Sequence, residues 1–318
     1  MSIIDFLESN NIPYNKDVYL ATITGMSVEG TIPLVARPNC ISQLYALYVF
    51  VLSHRVSHEI IGGLTNTYLC SHFTRDLVIQ TTNVKDLLIK DNELEVGCGY
   101  SLTKLSRDLS QKGIAGYEGF IGIPGTVGAA AINNSGAFDS VMSSVVKCVR
   151  IITAEGSERI LSNKDLCYTS RNSILKKRHF GLLLSVTLDM SRHGDLQTIN
   201  KRIERFSLIR KRDIDGKRKS LGSIVTGDTI HIIWKENKVS NILRRFIYLP
   251  FKKTRFRKKM QCVSEFIALG GARFIKHCDN LGRFCWSRET EESIFFDYLK
   301  FLKRKSNDKV VFEIEIKK

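Results

Sequence analysis

The sequence predicts an α+β chain of two domains, or three small ones, on three observations. Short β-branched runs alternate with helical patches up to residue 190, the composition turns basic after Met190, and the chain ends on an alternating stretch, KVVFEIEIKK. With 318 residues, 43% of them hydrophobic, the chain can bury substantial cores.

Each element follows from its local pattern. Between residues 35 and 89 short apolar runs are separated by polar punctuation, and EIIGGLTNTYLC (59–70) predicts a strand entering a glycine turn. NELEVGCGY (92–100) predicts a strand. The following SLTKLSRDLSQKG predicts a helix, because Leu102, Leu105 and Leu109 recur on one face and Gly113 can close it. After the glycine-rich GIPGTVGAAAINNSGAF (122–138), strands are expected at VVKCVRIIT and GLLLSVTLDM, on either side of a polar segment. A basic helix is expected after residue 191 and a charged helix near 291–305. In a terminal strand Glu313 and Glu315 would share a face. These patterns predict lobes at residues 1–78 and 79–190 and a third domain at 191–318, with a basic insertion at about 230–263.

Composition narrows the classes. The net charge of +16 is concentrated: residues 201–260 hold 19 Lys and Arg against 5 Asp and Glu. Such a field draws phosphates. Eight cysteines without a Cys-x-x-Cys pair predict reduced thiols, and His277, Cys278 and Cys285 lack the second pair that zinc spacing requires, so no metal is expected. The first thirty residues carry charges among short apolar stretches, and no later run is long and uncharged enough to span a bilayer. A cytoplasmic location is the expectation.

The loop at Gly122, Gly125 and Gly128, with Pro124 and Thr126, bends tightly and leaves N–H groups uncovered, which suits phosphate oxygens. It is neither a Walker loop nor a Gly-x-Gly-x-x-Gly fingerprint. On spacing alone an ordinary glycine turn competes with a phosphate cradle.

The stretch GFIGIPGTVGAAAINNSGAF (119–138) resembles the signature of the UDP-N-acetylenolpyruvoylglucosamine reductase family, a branch of the FAD-binding fold shared with vanillyl-alcohol-oxidase-like flavoenzymes. The resemblance implies a two-lobed FAD-binding domain followed by a smaller α+β substrate-binding domain. It also implies FAD contacts at Gly122, Ile123, Pro124, Gly125, Thr126, Gly128, Asn134 and Gly136. Upstream, IIGGLTNTYL (60–69) is similar to the family's other pyrophosphate loop and implies Gly62, Gly63, Thr65 and Asn66 as further contacts. Leu64 stands where the family has a third glycine.

The same resemblance implies the chemistry: NADPH reduces FAD, and the enolpyruvyl ether of a UDP-sugar accepts the hydride, followed by a proton. YTSRNSILKK (168–177) resembles the family's Tyr-x-x-Arg-x-Ser segment and places Arg171 as the active-site cation, with Tyr168 binding substrate and Ser173 beside it. A guanidinium can hold a carboxylate in a fixed fork without losing its charge. SLGSIV (220–225) resembles the serine loop and makes Ser223 the proton donor, although Thr226, Gly227 and Asp228 follow where the family has a cation and Asn-Pro. Glu313 aligns with the family's terminal glutamate, with Glu315 two residues on. LGGARFIKH (269–277) resembles a segment of the third domain, and His277 there is expected to be structural.

NKVSNILRRFIYLPFKKTRFRKKM interleaves aromatics with nine cations. Its plainest reading is a solvated face with the aromatics buried; a peripheral membrane contact and an anionic diphosphate are the alternatives. The expected partners are a nucleotide sugar and NADPH, with no nucleic acid, and the expected state is a monomer. The competing functions are action on another nucleotide sugar and a non-catalytic relative that binds nucleotide or polyanion through the basic segment.

Overall fold

The computed structural model describes residues 1–177, 180–213, 219–252, 254, 256–287 and 290–318; Lys253 and Arg255, which belong to the basic segment, fall outside the described residues. Two compact units emerge: residues 1–18, 32–63 and 75–214 form the first, and residues 19–31, 64–74 and 215–318 form the second.

The first unit carries a four-stranded sheet in the order Tyr14–Tyr19, Thr31–Ala36, Leu77–Gln80, His58–Ile61. The last three strands run parallel, with Val35 opposite Val78 and Ile60 opposite Ile79. The helix Ile41–Ser53 makes the crossover from Thr31–Ala36 to His58–Ile61, burying Leu44, Leu47, Tyr48, Phe50 and Val51. A five-stranded antiparallel sheet follows, ordered Glu158–Ser162, Val146–Ile152, Leu182–Asp189, Glu93–Gly97, Leu87–Lys90. Its central strands read as near-continuous apolar runs because they are covered, and Leu182, Leu184, Val186 and Leu188 are all at most 3% exposed.

The expected leucine helix is Leu102–Gln111, capped by Ser101 and burying Leu102, Leu105 and Leu109. Gly113 then takes a left-handed φ of 73°. The short helix Val127–Ile132 packs on the strand Leu182–Asp189, and the basic helix Leu196–Asp213 packs on Leu102–Gln111.

In the second unit the helices Gly227–Glu236, Lys238–Tyr248, Arg257–Leu269 and Glu292–Lys305 accompany a small sheet of Lys219–Ser220, Arg283–Trp286 and Cys278–Asn280. The core is aromatic: Phe266, Phe284, Phe295 and Tyr298 are fully buried, with ring centroids of neighbouring pairs 5.2 to 6.4 Å apart. His277 is buried beside this core, its ring stacked on Phe284 and its Nδ1 3.2 Å from Thr290 Oγ1.

The expected terminal strand shortens to Glu315–Lys317, paired in parallel with Thr67–Leu69. The face-sharing of Glu313 and Glu315 is therefore corrected. Glu313 lies before the ladder, its N–H donating to Ile224 O (2.8 Å), while Glu315 N–H donates to Asn66 O (3.0 Å). Alternation in sequence cannot reveal that the chain changes pairing partner at Ile314.

The approach of the Val127–Ile132 helix to the strand end is tight: a methyl group at Gly128 would lie 2.8 Å from Cys98 Cβ and 2.9 Å from Cys98 O. Gly128→Ala should therefore destabilise the protein by about 1–3 kcal/mol, the usual cost of overpacking. Thermal unfolding followed by circular dichroism should show a lowered Tm; an unchanged Tm would mean that the helix shifts freely.

Candidate functional site

The first unit brings its two glycine turns together. The position a Cβ would take on Gly62 is 3.4 Å from Thr126 Oγ1, so a larger residue at 62 would press on the second loop. Within residues 122–129 the protein's own hydrogen bonds take the N–H groups of Ile123, Val127, Gly128 and Ala129 and the carbonyls of Ile123, Gly125 and Thr126. The N–H groups of Gly125 and Thr126 have no partner among the described residues. Gly125 sits at φ 109°, a conformation open to glycine. Thr126 caps the Val127–Ile132 helix through its side chain.

At other positions expected to touch the cofactor, neighbouring groups of the protein crowd the side-chain position or engage the side chain. Gly122 admits Arg210, whose Cδ lies 2.7 Å from the position of a Cβ, and Gly136 admits the backbone of Ser140 at 2.5 Å. Asn134 is buried and uses both ends of its amide, donating to Thr169 O (2.9 Å) and accepting from Ser143 N–H (2.9 Å). Ile123 is half-buried and Pro124 exposed at the turn. Arg210 was not legible as a site residue. It is one cation among many on a basic helix, and only the fold places it beside the loop, over the ring of Phe138 at 5.6 Å.

The Tyr168–Ser173 segment is tied to the same helix. Ser173 Oγ donates to Ile132 O (2.6 Å), and Asn134 holds Thr169. Thr169 and Asn172 exchange both backbone hydrogen bonds, so residues 169–172 form a closed turn. Arg171 occupies that turn at φ 55°, a left-handed conformation costing a non-glycine residue roughly 1–2 kcal/mol. Lys176 Nζ donates to Arg171 O (2.7 Å) and adds a second cation. The Tyr168 hydroxyl is buried without a partner among the described residues, and burial pushes its pKa well above the usual tyrosine range, so it stays a neutral donor. Burial likewise pushes the Cys98 thiol beneath Gly128 up to about 12, which removes thiolate chemistry from the loop base.

The second unit gathers the remaining residues. Ser223 is exposed, following Gly222 at φ 75°. Its neighbour Ile224 accepts from Glu313 N–H, and Asn66 Nδ2 donates to Glu313 O (2.7 Å). Thr65 O is 3.9 Å from the position of a Cβ on Gly222. Thr65, Asn66, Ser223 and Glu313 thus lie close together, held by one side-chain and one main-chain bond to Glu313. Leu64, in place of the family's glycine, keeps a left-handed φ of 49° and buries its side chain to 4% exposure.

These residues suit FAD in the first unit: two apposed glycine turns, unengaged amides at Gly125 and Thr126, and the cation Arg210 beside them are what a diphosphate requires. Similarity to known proteins defines the class. Residues 32–162 match the profile of the FAD binding domain family. The UDP-N-acetylenolpyruvoylglucosamine reductase of Bacillus pumilus (strain SAFR-032) is 30% identical over 206 residues, covering 64% of this chain and 68% of that protein. The one from Anoxybacillus flavithermus (strain WK1) is 32% identical over 189 residues, or 59% of this chain and 63% of the relative, just under two thirds of its length. The crystal structure of UDP-N-acetylenolpyruvylglucosamine reductase from Thermus caldophilus shares the fold with a TM-score of 0.61 at 17% identity, covering 96% of this chain and 98% of that one. The chain is an FAD-dependent oxidoreductase of the α+β FAD-binding class. It belongs to the UDP-N-acetylenolpyruvoylglucosamine reductase family.

Gly125→Asp should abolish co-purifying flavin absorbance, because a carboxylate would stand where the diphosphate binds, whereas Thr126→Ser, which keeps the helix cap, should retain it. Retention of flavin by Gly125→Asp would refute the assignment. Tyr168→Phe should raise the stability of flavin-free protein by about 1 kcal/mol, since it deletes a buried hydroxyl without a partner; a lowered Tm would count against that reading.

Proposed function

We propose that this protein reduces the enolpyruvyl group of UDP-N-acetylglucosamine enolpyruvate to UDP-N-acetylmuramate, a peptidoglycan precursor, with NADPH as electron source, in the cytoplasm. Family membership supports the reaction class. The observation that carries the reading within this chain is the convergence of Ser223 and Glu313 with Asn66 through the bonds Glu313 N–H to Ile224 O and Asn66 Nδ2 to Glu313 O.

The reduced FAD supplies the hydride when bound. The chain's own residues do the rest. Arg171, fixed in its closed turn, binds the substrate carboxylate and stabilises the negative charge that grows there as the terminal carbon gains hydride. The family resemblance gives Glu313 a role in polarising the substrate's carboxylate end. Ser223, exposed after Gly222, delivers the proton to the adjacent carbon, so that one hydride and one proton saturate the double bond and NADPH leaves as NADP⁺. Tyr168 offers its hydroxyl to the substrate. Gly62, Gly63, Thr65, Asn66 and residues 122–128 hold the cofactor, with Arg210 as a counter-charge to the diphosphate.

Anaerobic reduction of the flavin by NADPH, then reoxidation by UDP-N-acetylglucosamine enolpyruvate, tests both halves. Ser223→Ala should leave the first half near wild type and slow the second by roughly 10²–10⁴-fold. Arg171→Lys should also harm mainly the second half, because an ammonium lacks the guanidinium fork. Equal losses in both halves would make Ser223 structural, and wild-type flavin that substrate fails to reoxidise would overturn the reading.

A further inference from the structure

The helix Lys238–Tyr248 is amphipathic in the opposite sense to a helix that folds onto a core. Val239, Ile242, Leu243, Phe246 and, just beyond its end, Leu249 recur at helical spacing and are 81%, 57%, 46%, 71% and 66% exposed. No residue of this helix is buried. The half-buried side carries Ser240, Asn241, Arg244, Ile247 and Tyr248; Arg244 lies 4.3 Å over the ring of Trp234, donates to Asn241 Oδ1 (2.9 Å) and stands 3.9 Å from the buried carboxylate of Glu265. Glu265 is itself held by Leu281 N–H (2.8 Å). Arg244, held by Trp234 and Glu265, anchors this side of the helix, and the apolar stripe is left facing solvent.

Exposed cations lie on the same helix and directly after it in the chain. Lys238, Arg245, Lys252, Arg257, Lys258 and Lys259 are exposed, and Phe256 among them is 51% exposed. The expectation that the aromatics of this segment are buried does not hold for Phe246 and Phe256. We propose that this face docks on an anionic lipid bilayer, with Val239, Ile242, Leu243, Phe246 and Leu249 entering the boundary between headgroups and acyl chains and the cations meeting lipid phosphates. Charge complementarity selects this occupant. A second copy of the chain would bring two strongly basic stretches face to face. A nucleic acid would find only Phe246 and Phe256 for stacking, whereas Val239, Ile242, Leu243 and Leu249 offer aliphatic surface that suits acyl chains. Among the described residues no helix is long and apolar enough to cross a membrane, and an in-plane helix needs no such length.

The test is co-sedimentation of the full-length protein with vesicles of phosphatidylcholine alone or mixed with phosphatidylglycerol. Wild type should partition onto the mixed vesicles and lose binding as salt rises. Ile242→Ser with Phe246→Ser should weaken partition by roughly tenfold or more while leaving circular dichroism and flavin reduction by NADPH unchanged, since both side chains are exposed. Lys252→Gln, Arg257→Gln, Lys258→Gln and Lys259→Gln together should weaken it by roughly fivefold per cation and flatten the salt dependence. Three results would overturn the proposal: wild type remaining in the supernatant with both vesicle types, partition unaffected by the serine variant, or a dimer in light scattering that the serine variant abolishes. An oligonucleotide bound tightly by both wild type and the serine variant, with no vesicle partition, would assign the surface to nucleic acid instead.

Discussion

The close approach of the Val127–Ile132 helix to the strand end at Cys98 is the constraint on which the first unit's site depends. Gly128 allows the helix to touch Cys98, and the N–H groups of Val127 and Gly128 reach the carbonyls of Tyr100 and Cys98. With those amides spoken for, the turn just before the helix is the part whose N–H groups remain available. The Tyr168–Ser173 segment hangs from the same helix through Ile132 and Asn134, so the placement of Arg171 is inherited from this single contact. A fault in helix packing would reach both the cradle and the cation.

Much of this was legible in the sequence because its determinants are local. A glycine at φ 109°, a threonine cap or leucines three and four residues apart leave their mark on neighbouring letters. The strands Glu93–Gly97, Val146–Ile152 and Leu182–Asp189 and the helix Glu292–Lys305 fall where pattern placed them. Interactions that join distant stretches were not legible. Nothing near Arg210 points to Gly122, nothing in the alternation of VVFEIEI shows that the chain changes partner at Ile314, and nothing near Asn134 shows that its amide spans Thr169 and Ser143.

The second unit shows the same division. Its helix Glu292–Lys305 follows the local pattern, yet the pairing of Thr67–Leu69 with Glu315–Lys317 joins segments almost 250 residues apart and brings Asn66 to Glu313. The inverted helix Lys238–Tyr248 is the clearest case: its periodicity is plain, but which side faces the protein is decided by Trp234 and Glu265, which lie in other helices. Periodicity reports that a helix has two faces and not which one the fold selects.

Leu64 carries a consequence for the order of its loop. A glycine at a left-handed position would leave the backbone free to sample both signs of φ. Leucine gives up roughly 1–2 kcal/mol to hold φ 49° and regains a similar amount by burying its side chain. The near cancellation means that the substitution changes little in total stability while it pins the segment by a side chain. Thr65 and Asn66, which follow directly, are then held already set, so less freedom would remain to be surrendered if the proposed cofactor contact forms there.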